Sequence, residues 1–182
     1  MKTLSDIPRK LTKENIGPTI HEYYELLEGM SLKIESKNIL ELLTELKRKK
    51  TNTGPYPNVT LFESANRIMT DLTILIGIKR LFNEAIPEIN YEIYQVEFGH
   101  DNFNDFDIVA ENNNQKLVGE AFNVAQQFFQ TKKTKMLKKL RERGVNNDQK
   151  LLIYNSDAVS GNYRPKHVSN EFHLRVDIKF WK

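Results

Sequence analysis

The chain contains no cysteine. Disulfides, thiolate catalysis and cysteine-based zinc sites are therefore excluded. No apolar run is long enough to span a bilayer. The first residues, MKTLSDIPRKLTKENIG, lack the apolar stretch of a secretory signal. A cytoplasmic protein with no membrane partner is the expectation. There is no internal repeat and no low-complexity tract. The motifs GxxxxGK(S/T), GxGxxG and GxSxG are also missing, so kinase, dinucleotide and serine-hydrolase chemistry has no support.

What is present is an ordinary globular composition. Hydrophobic residues make up 39% and charged residues of both signs 28%, which argues against a disordered chain. A length of 182 residues suits one domain, with or without a small appendage, and can bury a core without staples. The net charge is only +3, and its distribution says more than its sum. Lys47, Arg48, Lys49 and Lys50 form one basic cluster. Lys132, Lys133, Lys135, Lys138, Lys139, Arg141 and Arg143 form a second. Each suits either a phosphate backbone or a solvated helix face.

The first fifty residues read as helical, with apolar-periodic stretches at residues 20–27 and 39–46. Ser36 is a candidate cap for the second, and Leu40, Leu42, Leu43 and Leu46 give its expected inner face. The breaker TNTGPYPN follows at residues 51–58. A long helix is expected over residues 60–82, where Ala65, Ile68, Met69, Leu72, Leu75 and Ile76 recur at helical spacing. Strands are expected at 91–98, 106–110, 116–125, 151–155 and 172–181, with a turn at 112–114. An amphipathic helix fills 128–143, closed by Gly144. A strand meander followed by a crossover helix predicts an α/β (α+β) fold: a mixed central sheet flanked by helices. Residues 1–50 are expected as a helical N-terminal extension for dimer or DNA contact, and residues 59–182 as the core.

Three acids stand where this order brings them together. Asp107 opens one strand in NDFDIVA, and Glu120 lies inside the next in KLVGEAFNVA. Strands of one hairpin make these carboxylates neighbours. Glu63 lies on the first turns of the long helix. An acid in an otherwise apolar strand is expensive unless a metal or a base compensates it. Mg²⁺ prefers carboxylate oxygens and often uses only one or two of them.

The order α-β-β-β-α-β, with NDFDIVA and LVGEAFNVA, resembles the PD-(D/E)XK nuclease superfamily, which includes type II restriction endonucleases. The resemblance covers residues 59–155. It implies that Asp107 and Glu120 ligate Mg²⁺, with Mn²⁺ able to substitute, and that Glu63 is the helix acid near the metal. The superfamily's lysine falls two residues after the second acid, where this chain has Phe122. Several replacements are open: Lys132 or Lys133 from the following helix, a polar residue such as Gln126, or Asn123 turned inward at a bulge. A nuclease fold without activity, binding nucleic acid or a partner protein, is the alternative.

The expected function is a Mg²⁺-dependent endonuclease of the restriction type, acting as a homodimer on double-stranded DNA. A nuclease acting on RNA or branched DNA is a further reading. Lys135, Arg164, Lys166 and His100 are candidate DNA contacts, the middle two from the polar, basic loop 156–169. Glu97 is a possible further metal ligand. His167 and His173 lack metal-ligand spacing to each other and receive no role.

Overall fold

Six strands form one sheet whose order in space is the order in sequence. The computed structural model describes residues 3–30, 35–99, 101–113 and 115–178. Strands β1 (Lys10–Leu11), β2 (Tyr94–Val96), β3 (Ile108–Glu111) and β4 (Lys116–Phe122) are antiparallel neighbours. Strands β5 (Gln149–Asn155) and β6 (Glu171–Val176) run parallel to β4. The connections dictate this change of direction. A tight turn joins β3 to β4, with Asn112 N–H donating to the Gln115 carbonyl and Gln115 N–H to the Asn112 side chain. Asn114, at the expected end of that turn, lies outside the described residues. Parallel neighbours need a longer crossover: a helix between β4 and β5, and the loop 156–170 between β5 and β6. The mixed α/β architecture expected from the sequence is present.

Four α-helices accompany the sheet among the described residues: α1 (Ile16–Glu28), α2 (Ile39–Arg48), α3 (Leu61–Phe82) and α4 (Phe129–Arg143). The Thr60 hydroxyl caps α3 by accepting from Glu63 N–H at 3.2 Å. From Asp71 to Ile78 every residue of α3 is buried, more than one apolar stripe requires. The reason is that α3 packs on the sheet while α1 covers it from outside. Gly77 permits this approach, because a Cβ there would stand 2.6 Å from Ile153 Cδ1. Helix α4 covers the opposite face of the sheet. The residues Leu117 and Ala121 of β4 therefore join the α3 core, while Val118 and Phe122 join the α4 core. A central strand buried on both faces reads as a nearly continuous apolar run.

Several expectations are corrected. The N-terminal residues are not a helical extension up to residue 50. β1 pairs with β2, and Leu4, Ile7, Leu11, Ile20 and Tyr23 lie in the same core cluster as α3. A two-residue strand is too short for alternation to reveal. Helix α2 is capped by Asn38, not Ser36; its side chain accepts from Glu41 N–H at 2.9 Å. No residue of α2 is buried, and the expected inner-face Leu40 and Leu43 are 72% and 53% exposed. The strand expected at 91–98 shrinks to three residues, with Ile93 turned to solvent. β4 stops at Phe122, after which the Asn155 side chain takes over the ladder, bonding both Val124 N–H and Val124 C=O. β6 ends at Val176, and residues 179–181 of the expected last strand lie outside the described residues. No described helix is long and apolar enough to cross a membrane.

Candidate active site

The register of the β3–β4 hairpin pairs Ile108 with Gly119, which sets Asp107 opposite Glu120. Glu120 is buried at 2% exposure, on the central strand of the sheet, and Asp107 is half-buried. Ala121 N–H donates to Asp107 Oδ2 at 2.9 Å. The Lys139 ammonium donates to Glu120 Oε1 at 2.5 Å. Burial, and next the charge of Asp107, push the Glu120 carboxyl above its ordinary range, against the pull of Lys139. Burial likewise raises Asp107, opposed by the Ala121 N–H and by the charges of Lys139 and Lys132. Two adjacent carboxylates with one close cation are short of positive charge. The donor types fit Mg²⁺, which is content with two carboxylates and keeps water on its other positions. Among the described residues no group of three or more His, Cys, Asp or Glu side chains gathers to hold a metal.

A cavity of about 470 Å³ opens over the pair, lined by Asn66 and Thr70 of α3, by Asp107, Glu120 and Asn123, and by Lys132 of α4. A second hollow of about 240 Å³ shares Asn66, Thr70 and Asp107 and adds Glu63, Arg67, Glu97 and Gly99. Glu63 thus reaches the same cleft, but its Oε1 accepts from Arg67 at 2.5 Å. Glu97 is held by Asn104 N–H.

The lysines divide differently from expectation. Lys132 lines the cavity and has no hydrogen bond or ion pair among the described residues. Lys133 does not reach the pair: it donates to the Tyr163 hydroxyl at 3.3 Å and lies over the Phe129 and Tyr163 rings. Lys139, absent from the expected set, makes the contact with Glu120. Phe129, Met136 and Leu140 form the buried stripe of α4. Lys132 and Lys139 each follow a stripe residue by three positions, so they flank it and reach over the sheet. That spacing is the signal that could have found Lys139. Phe122 stacks on Tyr154 and packs near Phe129 in the α4 core, so the position offers packing and no charge. Gln126 is exposed in the turn before α4, and Asn123 lines the cavity without a bulge in the β4–β5 register.

Four members of the basic cluster are taken by acids: Lys138 by Glu142, Lys139 by Glu120, Arg141 by Glu171 and Arg143 by Asp105. Lys135, Arg164 and Lys166 are exposed. Among the described residues, Arg164 bonds the Gly161 and Tyr163 carbonyls. His100 lies outside the described residues.

A buried carboxylate anchors the wall of the cleft. Asp71 of α3 is fully buried and accepts Tyr23 O–H at 2.5 Å, Tyr56 O–H, and Gly99 N–H at 3.1 Å. Burial pushes Asp71 up to about 7, while the three donors pull against it. Gly99 has φ +45°, and a Cβ there would collide with the Tyr56 ring. Glycine is required, and with it the loop after β2 is tied to α3. Tyr56 comes from the breaker segment, which had carried no expected role.

Comparison with protein families, curated proteins and solved structures finds no match to this chain.

Proposed function

We propose that this chain is a Mg²⁺-dependent endonuclease of the PD-(D/E)XK type that hydrolyses phosphodiester bonds of double-stranded DNA in the manner of a restriction enzyme. The observation that carries this reading is the facing pair Asp107–Glu120, short of positive charge and opening into a cleft lined by an unpaired lysine. Asp107 and Glu120 would hold Mg²⁺ or Mn²⁺. Such an ion supplies an activated water and neutralises charge developing on the phosphorus.

The chain's own residues do the rest. Lys139 orients Glu120 and favours its ionised form against burial and the charge of Asp107. Lys132 meets the scissile phosphate from α4. Asn66, Thr70 and Asn123 offer hydrogen bonds to the sugar-phosphate strand. Lys135, Arg164 and Lys166 extend the contact along the backbone and position it without reading sequence. A small restriction-type enzyme usually acts as a symmetric pair, and the apolar side of α2, with Ile39, Leu40 and Leu43 exposed, suits a second copy. Sedimentation of the native protein tests that pairing.

The function is tested by incubating purified protein with long unmethylated duplex DNA and Mg²⁺, beside Asp107→Ala, Glu120→Ala and an EDTA control. Discrete fragments from the native protein alone are expected. Intact DNA with every divalent metal, from a folded protein, rejects the nuclease reading in favour of a silent fold.

A further inference from the structure

A second pocket, of about 560 Å³, lies at the C-terminal ends of β5 and β6, within the size range of small-ligand sites. Its charged lining is Arg80, Arg164, Arg175 and Asp177. None of the three guanidinium groups has an ion pair among the described residues. Arg80 donates to the Arg175 carbonyl, Arg164 to loop carbonyls, and Arg175 to the Ser160 carbonyl at 3.5 Å. Arginines spent on backbone carbonyls, converging on one hollow, leave an uncompensated positive field. Tyr163 and Ser156 add hydroxyl groups to the wall. His173 also lines the pocket, and its Nδ1 is buried with no hydrogen-bond partner among the described residues. Burial and the nearby Lys133 hold the imidazole below its ordinary range, so at neutral pH it is an uncharged group.

We propose that this pocket binds a phosphate monoester. Three guanidinium cations against one carboxylate leave two positive charges to be met. A phosphate monoester carries about −1.5 to −2 at neutral pH, whereas a backbone diester carries one negative charge. Arginine forks suit its oxygens. The place agrees with the chemistry. β4, β5 and β6 run parallel, with Phe122 beside Tyr154 and Tyr154 beside Arg175. Two strand spacings, about 10 Å, therefore separate the Glu120 strand from Arg175 at the same end of the sheet. The monoester would be the terminal phosphate of a nucleic-acid strand or a free mononucleotide.

The test measures binding in EDTA, so its outcome does not depend on whether Asp107 and Glu120 cut DNA. Fluorescein-labelled short DNA strands bearing a 5′-phosphate, a 3′-phosphate or only hydroxyl ends are titrated with the full chain. Inorganic phosphate and a nucleoside monophosphate serve as competitors. A phosphorylated strand is expected to bind about tenfold tighter than its hydroxyl counterpart, with inorganic phosphate erasing the difference. If the source is the free nucleotide, the monophosphate binds while the strand ends make no difference. Arg80→Gln/Arg175→Gln and, separately, the exposed-loop Arg164→Gln should each reduce the monoester preference. Equal affinity for phosphorylated and hydroxyl strands, together with no binding of monophosphate or phosphate, overturns the proposal and leaves the arginines as general backbone contacts.

Discussion

Replacing Lys139 by methionine keeps the stem and removes the cation that sits 2.5 Å from Glu120 Oε1. The two partners are unequally buried: the Glu120 side chain is 3% exposed and that of Lys139 29%. Stranding one member of a buried pair costs about 3–5 kcal/mol. The partial exposure of Lys139 and the ability of Glu120 to take up a proton, at about 7 in the native fold, reduce this to about 1.4 kcal/mol at pH 8. Proton uptake also sets the pH dependence. The folded carboxyl of Glu120 is already raised above its unfolded value, and removing Lys139, which lowers it, raises it further. A raised acid leaves the folded state undisturbed below the unfolded value and destabilises it as pH climbs through the folded one. The variant should therefore match the native protein in acid and diverge from it only as pH climbs past about 7, the folded value of the native carboxyl, by about 1.4 kcal/mol per unit of added shift. Urea unfolding in EDTA across that range measures it. A loss that is the same at both ends, or larger in acid, would refute the buried ion pair. In a double-mutant cycle, Glu120→Gln should cancel most of the penalty.

Glu120→Gln removes one of two crowded carboxylates, so without metal it should leave stability within about 1 kcal/mol of native at neutral pH. It should also abolish the Mg²⁺-dependent rise in melting temperature, which in the native protein corresponds to about 2.7 kcal/mol at a hundredfold excess over Kd; a native melting curve indifferent to Mg²⁺ would count against the metal site. Tyr56→Phe takes a hydrogen bond from the buried Asp71 and should cost about 1–3 kcal/mol. Asp71 is raised in the fold, and losing a donor raises it further, so the cost should be small in acid and grow as pH rises through about 7; equilibrium unfolding at acid and alkaline pH checks the sign.

Much of the fold was legible because its signals are local. Thr60 before a run of apolar residues at helical spacing marks α3 to within a residue at its start, and the asparagines at 112 and 113 mark the β3–β4 turn. The position of Asp107 and Glu120 on adjoining strands followed from that turn, because hairpin register is set by the connection. Signals failed where a long-range partner decides. Leu40 and Leu43 are patterned like core residues, yet nothing in the described chain covers them. β1 exists because β2 offers an open edge, not because Lys10 and Leu11 announce a strand.

By itself, then, the sequence determined the long helices α3 and α4, the approximate places of β2 to β6, that the sheet is mixed, and that two acids share a hairpin. Only the tertiary structure decided which lysine meets them. Lys132, Lys133 and Lys139 are alike in composition and neighbourhood, but α4 lies on the sheet through Phe129, Met136 and Leu140. That docking turns Lys132 and Lys139 toward the carboxylates and Lys133 toward Tyr163. It likewise joined Asp71, Tyr23, Tyr56 and Gly99, four residues scattered along the chain, into one buried cluster. Local pattern encodes which face of an element is apolar; where a polar side chain finds its partner depends on how those faces are brought together, and that is a property of the packed whole.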